Sequence, residues 1–195
     1  MASLPKTYYT PEQYLEMERR ADYKSEYIDG QFHPMPLANE AHNVINVNLA
    51  AEIGTQLCGK DARVYISNMR VRVGVHTAFL YPDVVAVCGD RQFDDMQKDT
   101  LINPTIIIEV LSPETELKDR GEKFAHYQRL PSLTDYVLIS QDKMRIEHYV
   151  RQDENHWLLS VITQTQDNLT LQSIDCVLTP AAIYENIEFA DSPLP

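Results

Sequence analysis

Two neighbouring stretches decide how this chain is read. The first is Leu80-Tyr81-Pro82-Asp83-Val84-Val85-Ala86-Val87-Cys88-Gly89, and the second is Asn103-Pro104-Thr105-Ile106-Ile107-Ile108-Glu109-Val110-Leu111-Ser112-Pro113-Glu114-Thr115-Glu116. Each contains a short run rich in Val and Ile, closed off by Pro, Gly or Asn, and so reads as a buried strand. Each also carries one carboxylate where an apolar strand has no use for one: Asp83 and Glu109. A buried carboxylate is costly unless a cation or strong hydrogen-bond donors satisfy it. Side chains alternate along a strand, so Tyr81, Asp83 and Val85 share a face, as do Ile107, Glu109 and Leu111. Paired strands lie about 5 Å apart, which lets both acids reach one divalent cation. Oxygen donors favour Mg²⁺ or Mn²⁺, ions that keep several waters and bind phosphate oxygens. A second reading needs no metal: Asp83 ends or caps a strand behind Pro82, and Glu109 pairs with Arg70, Arg72 or Arg120.

The residues around the two acids narrow the choice. Tyr81-Pro82-Asp83-Val84 is followed by Ile108-Glu109-Val110-Leu111-Ser112-Pro113, and then by Asp119-Arg120-Gly121-Glu122-Lys123 running on to Tyr127. Glu26-Tyr27-Ile28-Asp29-Gly30, His42 and Tyr136-Val137-Leu138-Ile139 surround them. In order and spacing these motifs resemble the Uma-two family of restriction-endonuclease-like proteins, within the PD-(D/E)XK nuclease superfamily. The resemblance runs from Thr10 to Ile187, most of the chain. It implies a single α/β domain with a restriction-endonuclease-like core, a central mixed β-sheet flanked by helices. It implies a metal-dependent endonuclease that hydrolyses DNA phosphodiester bonds. Asp83 and Glu109 would hold Mg²⁺ or Mn²⁺, with the backbone carbonyl of Val110 as a further ligand. Glu26 would support the metal or the attacking water, and His42 would line the site. One residue departs from the superfamily pattern: Leu111 stands where a Lys is expected, on the face of Glu109. In the resembled family a Lys from the following helix takes its place, here Lys123. A long flexible stem can deliver an ammonium to one point from a different backbone position.

The formal net charge of −12 argues against a general nucleic-acid binder, because a field of that sign repels phosphate backbones. A nuclease then needs localised cations, with Arg63, Arg70, Arg72, Lys118, Arg120 and Lys123 as candidates. Two other functions stay open on these grounds: a non-catalytic binding module that keeps the nuclease fold, and an enzyme acting on a small phosphate ester. With 6 glycines against 11 prolines, a nucleotide-cradling loop is hard to place. Three dispersed cysteines imply neither a disulfide framework nor a zinc cluster. No apolar run approaches the ~20 residues of a membrane span, and the N-terminus lacks the apolar core of a signal peptide. These features predict a cytoplasmic protein with reduced thiols. Cutting two DNA strands is simplest with two sites, which predicts a homodimer.

Along the chain, Thr10-Pro11-Glu12-Gln13 predicts a capped helix to about Arg20. Two short strands, 24–28 and 31–35, flank the tight-turn signal Asp29-Gly30. Glu26 shares a strand face with Ile28, and its simpler reading is an edge-strand acid paired with Lys24 or an Arg. A long helix runs from Asn39 or Glu40 to Cys58, with Ile45, Leu49 and Ile53 as its buried stripe and His42 on that stripe. Strands follow at 63–66 and 69–75. In the second, Arg70 and Arg72 alternate with apolar residues, which reads as a solvated basic face. The stretch 90–102 reads as a surface excursion. Ser112-Pro113-Glu114-Thr115 leads into a helix reaching about Arg129, with Phe124 and Tyr127 on its apolar side; by helical phase Arg120 sits near the centre of that side and Lys123 flanks it. Lys123 also has a plain reading as a surface lysine paired with Asp119, and Arg120 is a candidate to hold phosphate. Strands at 135–140, 144–150, 157–163, 169–171 and 176–178 and a closing helix at 180–186 complete the pattern, before a frayed tail.

Overall fold

The computed structural model describes residues 7–74 and 77–189. The strand end at Val75 and the tail from 190 onwards fall outside the described residues. In chain order the helices are α1 (Pro11–Glu18), α2 (Glu40–Gln56), α3 (Glu116–Lys118), α4 (Phe124–Tyr127) and α5 (Pro180–Ile183). The first strands are β1 (Ser25–Ile28), β2 (Gln31–Pro34), β3 (Ala62–Ile66), β4 (Arg70–Val73), β5 (Ala78–Leu80), β6 (Val84–Cys88) and β7 (Thr100–Leu101). They are followed by β8 (Ile106–Leu111), β9 (Asp135–Ser140), β10 (Ile146–Arg151), β11 (Trp157–Ile162), β12 (Leu169–Leu171) and β13 (Cys176–Leu178).

The central sheet has six strands in the order β11-β10-β9-β8-β6-β3. It is mixed: β8 and β9 run parallel, while β6 pairs antiparallel with β8. The α/β class with a mixed central sheet flanked by helices is the expected one. A second sheet, β2-β1-β5-β4-β7, adds a layer that the sequence pattern did not separate from the first. Ile28, Val71, Val73 and Leu80 of this second sheet pack with Val85, Ile107, Leu111 and Leu138 of the central one. On the opposite face of the central sheet, α2 buries Ile45, Leu49 and Ile53 together with Val84, Ile106, Ile108 and residues of β12, β13 and α5.

The local rules act as the residues predict at most turns. Thr10 and Gln13 form a reciprocal cap on α1. Asp29 and Gly30 both take positive φ, 46° and 83°, the pair a tight β1–β2 hairpin requires. Three expectations are corrected. The stretch from Leu80 to Gly89 is not one strand: Pro82 has no N–H to give a ladder, and the chain leaves one sheet at Leu80 and enters the other at Val84. Glu26 is not on an edge, because β1 lies between β2 and β5. The face of Arg70 and Arg72 is not solvated. Arg70 is 3% exposed, and the excursion from 90 to 102 supplies Asp99 to Arg70 at 2.5 Å and Asp94 to Arg72 at 3.1 Å.

Candidate active site

The seam between the two sheets holds the acids. In the β6–β8 ladder Val84 faces Ile108 and Val85 faces Ile107. Asp83 immediately precedes β6 and Glu109 follows Ile108 in β8, so both lie at the same end of that ladder. The Val110 N–H donates to Asp83 Oδ2 at 2.8 Å. From α2, His42 Nε2 lies 2.8 Å from Asp83 Oδ1, and Asn46 Nδ2 donates to the same oxygen at 3.3 Å. His42 and Asn46 are one helical turn apart, so one face of α2 delivers both. The contact that Val110 makes with Asp83 comes from its N–H, while its side chain lies in the apolar core.

Glu109 is 2% exposed. Its Oε1 accepts from Tyr127 Oη at 3.0 Å and lies 2.7 Å from Lys123 Nζ. The same ammonium is 3.2 Å from Glu26 Oε1 and 3.2 Å from Asp119 Oδ1. Glu26 reaches in from β1: its Oε2 receives Lys118 Nζ at 2.6 Å and its Oε1 the Tyr81 N–H at 3.2 Å. Lys123 therefore sits between the two layers. Its pairing with Asp119 exists, but on a buried lysine rather than a surface one. Glu26 stands behind Lys123, while Asp83, Glu109, Lys123, His42, Asn46 and Gln141 all line an open cleft of about 790 Å³.

How Lys123 comes to face inward is a matter of helix phase. Between α3 and α4, Asp119–Lys123 forms a turn of π-helix. An extra residue in a turn rotates everything after it by about 100°. Lys123 is thereby buried, at 5% exposed. Arg120, the residue that unbroken α-helical phase puts nearest the site, turns instead to Glu116 at 2.7 Å and to Glu147. Arg120 is thus not a phosphate ligand in this cleft. Tyr136 Oη anchors the turn by donating to the Asp119 carbonyl at 2.8 Å, and the Tyr136 ring stacks on Phe124 with centroids 4.8 Å apart. Leu111, at the expected Lys position, lies in the apolar core between the sheets.

The electrostatics follow from this crowding. Burial raises the Glu109 carboxyl well above the usual range; Lys123 pulls the other way, and Asp119 and Asp83 add to the rise. Burial works against the charge of Lys123, but Glu109, Glu26 and Asp119 hold its ammonium well above the ordinary lysine value. Burial likewise opposes ionisation of Glu26, yet Lys123 and Lys118 keep it below the usual carboxylate range. The crowding thus falls hardest on Glu109, whose carboxyl is the one held most strongly toward its protonated form.

This donor set suits a hard divalent cation. Asp83 Oδ2 accepts one N–H, and Lys123 and Tyr127 both meet Oε1 of Glu109. Among the described residues no three His, Cys, Asp or Glu side chains converge as a complete metal cage. The fit is that of a two-carboxylate site in which waters and phosphate oxygens complete the shell. Asn46, Gln141 and Lys24 are among the cleft residues that escaped the sequence reading. Asn46 was legible, four residues after His42 on the same stripe. Gln141, just past β9, carried no signal.

Known proteins extend the picture. A family described as Uma2, putative restriction endonuclease, matches residues 11–180. Two uncharacterized proteins of Synechocystis are similar. One, slr1290, is 34% identical over 92% of this chain and 93% of its own length. The other, sll1609, is 32% identical over 77% of this chain and 85% of its own length. The fold is similar to the crystal structure of a putative nuclease belonging to DUF820 from Anabaena variabilis. That match has a TM-score of 0.75 and 20% identity and covers 90% of this chain and 97% of the other. Among the described residues no helix is long and apolar enough to cross a membrane. With the family match spanning most of its length, and with the acids meeting at the seam of its two sheets, the chain belongs to the Uma2 family.

Proposed function

We propose that the protein is a metal-dependent endonuclease that hydrolyses DNA phosphodiester bonds in the cleft of Asp83 and Glu109. The observation that carries this reading is a charge imbalance. Glu109, Glu26 and Asp119 gather around Lys118 and Lys123, so three carboxyl groups share two ammonium groups, and Asp83 stands in the same cleft as Glu109. Bringing in a divalent cation with a phosphate is the chemistry such a surplus suits.

Asp83 and Glu109 would hold Mg²⁺ or Mn²⁺, with the Val110 carbonyl as a further ligand. Bound there, such an ion polarises phosphoryl oxygens and acidifies a water. The chain's own residues do the rest. His42, Asn46 and the Val110 N–H fix the Asp83 carboxylate, and Tyr127 fixes Glu109. Lys123, clamped by Glu26 and Asp119, presents a preorganised positive charge to the phosphoryl oxygens, which would gain negative charge as a water oxygen bonds to phosphorus and the P–O bond to the leaving sugar oxygen breaks. The ammonium that Leu111 cannot supply thus comes from the π-helical turn. A second reading, a binding module without catalysis, draws on the acidic lining that Glu18, Asp22 and Glu114 add to the cleft. Cleavage of single-stranded and duplex DNA with and without Mg²⁺ tests the proposal. Wild type should cut only with the ion, and Asp83→Ala and Lys123→Ala should each lose about 100-fold or more. Full activity in Asp83→Ala would end it. Calorimetric titration with Mn²⁺ separates the two readings, since a module without the metal site releases no binding heat.

A further inference from the structure

Two permanent cations line the cleft, Lys24 and Lys123, and they are held in opposite ways. Lys123 is ion-paired with Glu109, Glu26 and Asp119. Lys24, the residue just before β1, has no carboxylate partner among the described residues. Its sequence position allows a pair with Glu26, but Glu26 takes Lys118 and Lys123 instead. Lys24 Nζ donates to the Ser67 carbonyl at 2.9 Å and stands 5.6 Å from the centre of the Tyr81 ring. Both of these partners are neutral. The oxygens of Glu18, another acid of the cleft, already receive the Ser25 N–H and the Tyr81 hydroxyl.

The tether decides where this ammonium stands. Ser67 lies in the turn between β3 and β4, at a φ of 41° that non-glycine residues seldom adopt. Its carbonyl takes Lys24, while its N–H donates to the Asp83 carbonyl at 2.9 Å. One residue thus ties the head of Lys24 to the backbone of the acid proposed to hold the metal. The charges around each lysine agree. Asp83 and Glu18 act on Lys24, whereas Glu109, Glu26 and Asp119 act on Lys123. Lys24 therefore serves the Asp83 side of the site and Lys123 the Glu109 side.

An ammonium has three N–H donors. One goes to Ser67 and the Tyr81 ring takes another at most, so at least one is left for a ligand. Burial holds the Lys24 ammonium below the ordinary lysine value, and Asp83 and Glu18 only partly offset it. A cation that has lost part of its water without gaining an anion is stabilised by an anion that touches it. Where two carboxylates suit a divalent metal, the anion that arrives with the metal is a phosphodiester.

We propose that Lys24 is a substrate-binding residue whose ammonium takes a non-bridging phosphate oxygen of the bound DNA strand on the Asp83 side of the site. This rests on the nuclease reading of the cleft and adds a substrate contact to it.

The test compares the full chain with Lys24→Met, which keeps the length of the stem, and with Lys24→Arg, which keeps the charge. Mg²⁺-dependent cleavage is measured over a range of DNA concentrations. Anisotropy of labelled DNA in Ca²⁺ is followed over a salt series, and urea titration reports folding. In Lys24→Met, KM and Kd should rise about tenfold, with a much smaller change in kcat. The slope of log affinity against log salt should become shallower by about 0.7–0.9, the share of one phosphate contact. Lys24→Arg should recover most of the affinity and the slope. A wild-type KM and salt slope in Lys24→Met overturns the proposal, while cleavage that still needs Mg²⁺ and Asp83 leaves the nuclease reading standing. A loss of stability with an unchanged slope also overturns it, because Lys24 would then only strap the Ser67 turn to β1. So does a fall in kcat alone, which would place Lys24 on the transition state rather than on the bound strand. If wild type neither binds nor cuts DNA, the nuclease reading falls and takes this role with it.

Discussion

Two ionic clusters in this molecule use the same residue types to opposite ends. Behind the second sheet, Arg19, Arg70 and Arg72 meet Asp95, Asp99 and Asp94, three cations against three acids. At the seam, three carboxyl groups, Glu26, Glu109 and Asp119, share Lys118 and Lys123. The balanced cluster closes a surface: it lets the excursion from 90 to 102 lie over β4 and bury the Arg70 guanidinium. The unbalanced one leaves a charge to be met from outside. Ion pairing alone therefore says little about function here; the remainder after pairing says more. Removing a partner from the balanced cluster should damage the fold, whereas removing a surplus acid from the other should damage only chemistry.

The sharpest way to break that contrast is Glu109→Gln. The amide keeps an oxygen for Tyr127 and Lys123 while deleting a surplus carboxylate. Mg²⁺-dependent cleavage should fall by about 100-fold or more, with Tm unchanged or slightly higher. A large drop in Tm would mean that the seam is as structural as the other cluster. Next in size is Arg70→Met, which strands Asp99 beside Arg19 alone. Urea titration should show a loss of about 2–3 kcal/mol, below the full cost of breaking a dry pair because a third of the Asp99 side chain meets water. Residual cleavage should not change.

Acid sharpens the comparison further. Burial works against the charge of Asp99, but hydrogen bonds from Arg19 and Arg70 hold its carboxyl well below the usual carboxylate range. A depressed folded value means that its stabilisation is complete above the unfolded value, near pH 4, and is lost as pH falls toward the folded one. Wild type should therefore be more stable than Asp99→Asn at neutral pH, and thermal melts of the two should start to converge near pH 4 and draw together as pH falls further toward the folded value. The smallest effect belongs to Gly121 in the π-helical turn, where an added Cβ would meet nothing within 4 Å. Gly121→Ala should raise stability by about 0.5–1 kcal/mol by restricting the unfolded chain, with cleavage unchanged if the turn keeps Lys123 inward.

Much of the fold was legible because it follows from local rules. Val- and Ile-rich runs closed by Pro or Gly gave β6, β8 and β9. The cap at Thr10 and the turn at Asp29-Gly30 gave their neighbours, and the stripe of Ile45, Leu49 and Ile53 gave α2. The errors share one cause, in that each depended on a partner distant in sequence. The face of Arg70 looked solvated because nothing local says that Asp99 will cover it. Arg120 looked better aimed than Lys123 by regular helical phase, and the π-helical turn that reverses them is held by Tyr136 of the next strand. Asn46 was within reach of the same periodicity that pointed to His42, whereas Gln141 becomes a cleft residue only once β8 and β9 lie side by side.

The sequence by itself determined that Glu109 would be buried in an apolar strand and that Asp83 would stand at the head of a neighbouring one, because alternation along a strand is a property of the backbone and hydrophobic runs choose the interior. Tertiary structure decided which cation would meet them and how much charge would be left over. Those depend on the packing of two sheets across a seam and on one rotated helical turn, neither of which is written in any local pattern of residues.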